Sequence, residues 1–220
     1  MYSFTEENYL KAIYKLQEQS GEFINTNAIA LSIQTKAASV TDMIKKLSDK
    51  KLLEYEKYKG VQLTEAGKKV AIETVRKHRL WETFLHNKLS FSWDAVHDIA
   101  EQLEHIHSQE LIDKLEEFLG FPTHDPHGDP IPSRNGIIKE SDFVLLSTLQ
   151  KGEKGIISGV VNHSTLFLKH LEKNKLVLGK RLSISDVSEF DQSIKAVLEE
   201  KEKIQLSYEV VRNILVKKTN

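Results

Sequence analysis

The chain has 220 residues, 40% of them hydrophobic and 29% charged, which is enough for two or three small domains of ordinary globular composition. It has nine histidines and no cysteine, which excludes a disulfide framework and thiolate metal sites. No apolar run reaches the length of a membrane span, and the first residues lack the basic-then-apolar pattern of a secretion signal, so the expected setting is cytoplasmic, with no membrane partner.

The net charge of -1 conceals a segregation. Residues 35–70 carry nine Lys against five Asp and Glu, a balance of +4, whereas residues 78–129 carry three Lys and Arg against eleven Asp and Glu, a balance of -8, together with seven of the histidines. A basic stretch suits nucleic acid. An acidic, His-rich stretch suits a cation.

In chain order, Ser3-x-x-Glu6 is a capping-box pattern. Leu10, Ile13 and Tyr14 then keep helical period until Gly21 ends the segment. Residues 25–33 predict a short second helix capped by Asn25 or Thr26. A third helix is expected from Lys36 to Lys50, with Val40, Met43, Ile44 and Leu47 as its buried stripe. Two alternating runs around Gly60, between Leu52 and Thr64, predict a β-hairpin.

Three helices and a hairpin make a winged helix-turn-helix, which lays its third helix in the major groove of DNA and its wing along the backbone. The residues expected to face DNA are Thr26, Thr35, Lys36, Ala38, Ser39, Thr41, Asp42, Lys45 and Lys46, with Lys57 and Lys59 on the wing. Short side chains suit close approach to base edges, and the lysines can neutralise phosphates.

Thr64 is expected to cap a long helix reaching Leu89, on which His78 and Glu82 stand at i, i+4. Ser90 or Ser92 is expected to cap the next helix. If that helix continues through His97-Asp-Ile-Ala-Glu-Gln-Leu-Glu-His105, then His97, Glu101, Glu104 and His105 share one face. Two imidazoles and two carboxylates side by side are costly unless a positive charge lies among them, and a divalent transition metal suits that donor set. The residues alone leave a solvated polar face and a metal site both open. A further helix from Ser108 to Gly120 carries Leu111, Ile112, Leu115, Phe118 and Leu119, a face that fits a dimer seam or an ordinary core. All four prolines lie in 122–132, a rigid extended loop holding Asp125 and His127. After Ser141, Gly-separated β-branched runs predict a small β-barrel.

Several stretches resemble the metal-dependent transcriptional repressors of the diphtheria toxin repressor (DtxR) and manganese regulator (MntR) family. They are Glu7-Asn-Tyr-Leu-Lys-Ala-Ile-Tyr14, Ser39–Leu47, Leu63–Gly67, Arg76-Lys-His-Arg-Leu-Trp-Glu82, Val96–His105 and Pro126-His-Gly-Asp-Pro-Ile-Pro132. The resemblance implies a mainly α fold in three parts. These are a winged helix-turn-helix DNA-binding domain (1–73), a helical dimerisation and metal-binding domain with a Pro-rich linker (74–140), and an SH3-like, FeoA-type β-barrel (141–220).

It also implies a primary metal site of Asn8, Glu101, Glu104 and His105, and an ancillary site of His78, Glu82 and His97, to which Asp125 and His127 can add. His163 is a candidate ligand from the third domain. Asn8 departs from the Met or Asp of the family, Lys11 stands where manganese regulators have a carboxylate, and Glu101 stands where iron sensors place Cys. An all oxygen and nitrogen donor set implies Mn(II) or Fe(II), with Zn(II), Co(II) or Ni(II) as substitutes in vitro.

The implied function is a metal-activated repressor of metal-ion homeostasis that binds a palindromic duplex operator as a homodimer and is not an enzyme. Two rivals are a di-metal carboxylate enzyme and a winged-helix regulator answering a non-metal ligand.

Overall fold

The computed structural model describes residues 2–21, 23–139, 141–199 and 202–219. The chain divides into two compact units. The first comprises Met1–His78, Glu101–Ile112 and Pro132–Ile138, and the second Arg79–Ala100, Asp113–Ile131 and Lys139–Asn220.

The first unit contains α1 (Phe4–Ser20), α2 (Thr26–Ser32), α3 (Ala37–Asp49), β1 (Leu53–Glu56), β2 (Gly60–Leu63) and the first half of α4 (Glu65–Leu89). The capping box forms as its sequence dictates: the Glu6 N–H donates to Ser3 Oγ at 3.3 Å and the Ser3 N–H to Glu6 Oε2 at 3.0 Å. Asn25 caps α2 through the Ala28 N–H. Leu10, Ile13, Ile29, Val40, Ile44, Leu47, Leu52 and Val61 form one buried core, so the apolar stripe of α3 packs against α1, α2 and the hairpin. Strands β1 and β2 pair antiparallel from Leu53↔Leu63 to Glu56↔Gly60, and Ile24 bridges Val61. Gly60 has φ +119°, and a Cβ there would lie 2.3 Å from the Ile24 carbonyl oxygen. Only glycine lets the wing close against that segment.

The second unit carries a six-stranded antiparallel sheet. Its strands are β3 (Val144–Leu145), β4 (Lys154–Val160), β5 (Arg181–Val187), β6 (Ile194–Leu198), β7 (Lys203–Leu206) and β8 (Ile214–Thr219), in the order β3-β8-β4-β5-β6-β7. Ile157, Leu182, Ile184, Ala196, Leu198, Ile214 and Val216 face a core closed by Leu168 and Leu171 of α7 (Thr165–Lys173) and by Trp93. A short α8 (Tyr208–Val211) precedes β8. The expected architecture is present: a mainly helical chain, a winged helix at its N-terminal end and a small SH3-like sheet domain at its C-terminal end. Helices α7 and α8 and strands β3 and β8 are additions to the sequence expectation.

One expected element differs. Helix α5 spans Val96–Leu103 and stops before Glu104, which with His105 lies in a turn where the Ile106 N–H donates to the Leu103 carbonyl at 3.2 Å. The four-residue face from His97 to His105 is therefore not continuous helix. Helix α6 follows at Gln109–Phe118, with the Ser108 hydroxyl accepting from Leu111 N–H.

Glu6 ties α1 to α3. Its side chain is 1% exposed, and its Oε1 lies 2.6 Å from Lys50 Nζ and 3.0 Å from Lys46 Nζ. Burial pushes the carboxyl up, but the Lys50 ammonium, the Ser3 N–H and Lys46 outweigh it and hold the group at about 2. Because this folded value lies below the unfolded one, the stabilisation is complete above pH about 4.5 and is lost as pH falls towards 2. Glu6→Ala removes the ion pairs and half of the capping box. It should cost about 1–2 kcal/mol at pH 7 in chemical denaturation, with the difference from the parent shrinking as pH falls through that window.

Candidate functional site

In the first unit, one face of α1 presents Phe4, Glu7, Asn8 and Lys11, at i, i+3, i+4 and i+7. This face meets the end of α5 and the turn after it. Lys11 Nζ donates to Glu101 Oε1 at 2.6 Å and to both Glu104 oxygens at 2.6 and 2.8 Å. His78 Nδ1 lies 2.6 Å from Glu104 Oε2 and 4.0 Å from Glu101 Oε1. His105 Nδ1 lies 2.6 Å from Glu7 Oε2, and its ring stacks on Phe4 with centroids 4.5 Å apart. With Nδ1–H committed to Glu7, the Nε2 of His105 faces Glu104 Oε1, 3.8 Å away, as the atom with a lone pair to offer.

Asn8 belongs to the same turn of α1 as Glu7 and Lys11. Its Oδ1 is buried and has no hydrogen-bond partner among the described residues. A buried amide oxygen left so is costly, and a cation would satisfy it. The first unit thus brings Glu101, Glu104 and His105 together with the α1 face that carries Asn8, and adds three groups. Of these, His78 was expected in the other set. Glu7 and Lys11 were not expected as members at all, although their i-1 and i+3 spacing from Asn8 was visible in the sequence.

In the second unit, oxygen and nitrogen atoms of Glu82, Asp125 and His127 lie within 4.8 Å of one another, and all three side chains are buried. His127 Nε2 is 2.8 Å from the Trp93 carbonyl oxygen, which fixes the proton there and turns Nδ1 towards Glu82 Oε2 at 3.7 Å. His163 stacks on His127 with centroids 5.0 Å apart, and its Nε2 lies 3.2 Å from the Val160 carbonyl oxygen. His97 Nδ1, on the exposed side, is 3.3 Å from Glu82 Oε1. Asp125 Oδ1 accepts from the N–H groups of His127 and Asp129, which shapes the Pro-rich loop. Arg79 Nη1 donates to the Pro130 carbonyl at 2.6 Å.

Burial, with Asp129 and Glu82 nearby, pushes the Asp125 carboxyl up. Burial works against protonating His127, but Glu82 and Asp125 outweigh it and raise His127. Glu82, Asp125 and His127 thus offer two carboxylates and an imidazole, a donor set that could hold a metal ion.

The residues expected to face DNA lie on exposed backbone and side chains of the first unit. Thr35, Lys36, Ala38, Ser39, Thr41, Asp42, Lys45 and Lys46 are exposed at and along α3, and Lys57 and Lys59 are exposed at the hairpin tip. Thr26 is half-buried at the start of α2. Lys46 shares its charge with Glu6, and Lys59 with Glu56 at 2.7 Å. Lys45 is exposed on α3.

Residues 1–61 match the family model described as iron dependent repressor, N-terminal DNA binding domain. Residues 64–133 match the iron dependent repressor metal binding and dimerisation domain, and residues 144–218 the FeoA domain. The chain is 33% identical over 145 residues to the HTH-type transcriptional regulator MntR of Oceanobacillus iheyensis, which covers 66% of this chain and 96% of that protein. It is 33% identical over 128 residues to the iron-dependent repressor IdeR of Mycobacterium tuberculosis, covering 58% of this chain and 55% of that one. Among solved structures, a manganese-dependent transcriptional repressor in complex with manganese superposes with a TM-score of 0.82 at 32% identity, covering 97% of this chain and all of that one (100%). ScaR with bound Zn2+ superposes at 0.74 with 31% identity, covering 97% and 99%.

Gly128, next to His127, has φ +89°, and a Cβ there would lie 2.2 Å from the Ser158 carbonyl oxygen. Gly152 has the same φ but open space around it. Gly128→Ala should therefore destabilise the second unit by about 2–3 kcal/mol and Gly152→Ala by only about 1 kcal/mol. Paired denaturation curves on the full chain check the difference.

Proposed function

Because the chain belongs to the DtxR/MntR family of metal-dependent transcriptional repressors, we propose that it is activated for operator binding by Mn(II) or Fe(II). Asn8, Glu101, Glu104 and His105 would hold the activating ion in the first unit. Glu82, Asp125 and His127, with His97 and His163 beside them, would hold a second in the other. His78, on the geometry of its neighbours, serves the first centre. The observation that carries this reading is the buried, unpartnered Asn8 Oδ1 on the α1 face whose neighbours already reach Glu101, Glu104 and His105. The donors are oxygen and nitrogen only, which suits Mn(II) and then Fe(II).

A bound ion would supply two positive charges that both α1 and the turn after α5 can share. Everything else is the work of the chain. Glu7 holds the His105 ring so that Nε2 faces the centre, and Phe4 packs on that ring. Glu6, one residue before Glu7, carries the position of α1 to Lys46 of α3 and to Lys50 at its C-terminal cap. Fixing α1 thereby fixes the helix that reads DNA. Moving such an equilibrium from about 1:99 to 99:1 needs about 5.5 kcal/mol of differential binding.

Thr35, Ser39 and Thr41 would approach base edges, with Lys36, Lys45, Lys57 and Lys59 on phosphates. A homodimer would place two α3 helices roughly 34 Å apart on a palindrome. The exposed Leu111 and Phe118, seven residues apart on α6, are suited to a dimer seam. Among the described residues no helix is long and apolar enough to cross a membrane. We keep the three-part division at 1–73, 74–140 and 141–220 as the functional one.

A labelled duplex carrying the palindrome upstream of the protein's own gene tests this. Binding should be weak in chelator, rise at least a hundredfold with Mn(II) or Fe(II), and lose that rise in Glu104→Ala and His105→Ala. Equal affinity in chelator would favour the reading of a regulator that answers something other than metal.

A further inference from the structure

The carboxylates expected to bind an activating ion already have a cation of their own. An ammonium has three N–H donors and no other way to satisfy them than acceptors. Those of Lys11 are directed at Glu101 Oε1, Glu104 Oε1 and Glu104 Oε2, all within 2.8 Å. The Lys11 side chain is 7% exposed and the Glu104 side chain 0% exposed, so this is a buried pair and not a surface contact. His78 takes up Glu104 Oε2 from the other side. A surface lysine would give up its carboxylates at little cost. A buried one cannot rehydrate in place, and releasing it leaves either its own charge or that of Glu104 to be compensated.

We propose that Lys11 is a built-in competitor for the divalent ion at the Glu101–Glu104–His105 centre, and that it sets the metal affinity there by having to yield its carboxylate oxygens when the ion binds. The inference rests on the reading of that centre as a metal site. The tether makes the competitor permanent: its local concentration does not vary with that of any solute. Metal has to exceed a threshold fixed by the chain, which keeps the site labile. Lys11 also keeps Glu104 neutralised when no metal is present.

The test uses the full chain with His127→Ala, which disables the other cluster. Free Mn(II) is followed by its electron paramagnetic resonance signal. Lys11→Met should bind Mn(II) at least tenfold tighter than the parent. Without metal it should melt at a lower temperature and recover more on adding Mn(II). Lys11→Gln, which keeps a neutral donor to Glu104, serves if Lys11→Met fails to fold without metal, and should shift affinity in the same direction. Acetylation of lysines read by mass spectrometry gives the displacement itself: Lys11 should be protected in chelator and become reactive with Mn(II).

Unchanged or weaker Mn(II) binding in both Lys11 variants overturns the proposal. So does tighter binding with Lys11 equally protected in both states, since Lys11 would then act only through space. His105→Ala separates the two levels of argument. If it leaves Mn(II) binding intact, the metal-site reading itself fails. If it abolishes binding while Lys11→Met changes nothing, only the competitor falls.

Discussion

Glu104 is a carboxylate with no access to water, and the first unit is arranged around the need to neutralise it. Taking such a group out of water costs several kcal/mol unless a cation and hydrogen bonds meet it. Lys11 and His78 meet it here, one from α1 and one from α4. This constraint explains why α1 is polar on one face: Glu7, Asn8 and Lys11 are buried or half-buried polar groups on a helix whose opposite face supplies Leu10 and Ile13 to the core. The helix therefore has two faces in use. One fills a hydrophobic core, and the other answers a charge problem.

The same helix reaches α3 through Glu6. Within two turns of α1, Glu6 pairs with the Lys46 and Lys50 ammoniums, Glu7 holds His105, and Lys11 holds Glu101 and Glu104. A change of charge at the centre can only be felt by the DNA-reading helix if α1 shifts as a body, and close-packed interiors transmit such shifts rather than absorbing them. The second cluster is built differently. There the loop after α6 folds on Asp125, which accepts two backbone N–H groups, and His127 is fixed by a backbone carbonyl. A glycine beside it passes close to strand β4. That site is a property of loop and sheet, not of helix spacing.

Much of this was legible in the sequence. The capping box at Ser3, the apolar stripe of α3, the hairpin around Gly60 and the Pro-rich loop each follow from local chemistry and formed where expected. The residues that gather in the two clusters were also visible as His and acidic pairs. What periodicity could not give was the end of α5. No glycine or proline marks Leu103, and the turn there is decided by tertiary demand, because it lets Glu104 and His105 reach α1. For the same reason the burial of Glu7 and Lys11 could not be read from α1 alone, although Lys11 stood out as a departure from the manganese regulators' carboxylate. Helix α7 lay hidden among glycine-separated β runs, although Ser164, whose hydroxyl accepts from the Phe167 N–H, was its start signal. Of the four residues expected on one face, Glu101, Glu104 and His105 meet α1, whereas His97 lies beside Glu82.

We infer that α1 and the turn after α5 are joined through a cation-holding centre made by Asn8, Glu101, Glu104 and His105. Anomalous diffraction at the manganese edge, from crystals of the full chain grown with Mn(II), tests it most directly. A manganese peak bounded by Asn8 Oδ1, Glu104 and His105 Nε2 is expected, with Lys11 withdrawn from at least one carboxylate. Manganese found only at Glu82, Asp125 and His127, with Lys11 still seated on Glu101 and Glu104, would contradict it.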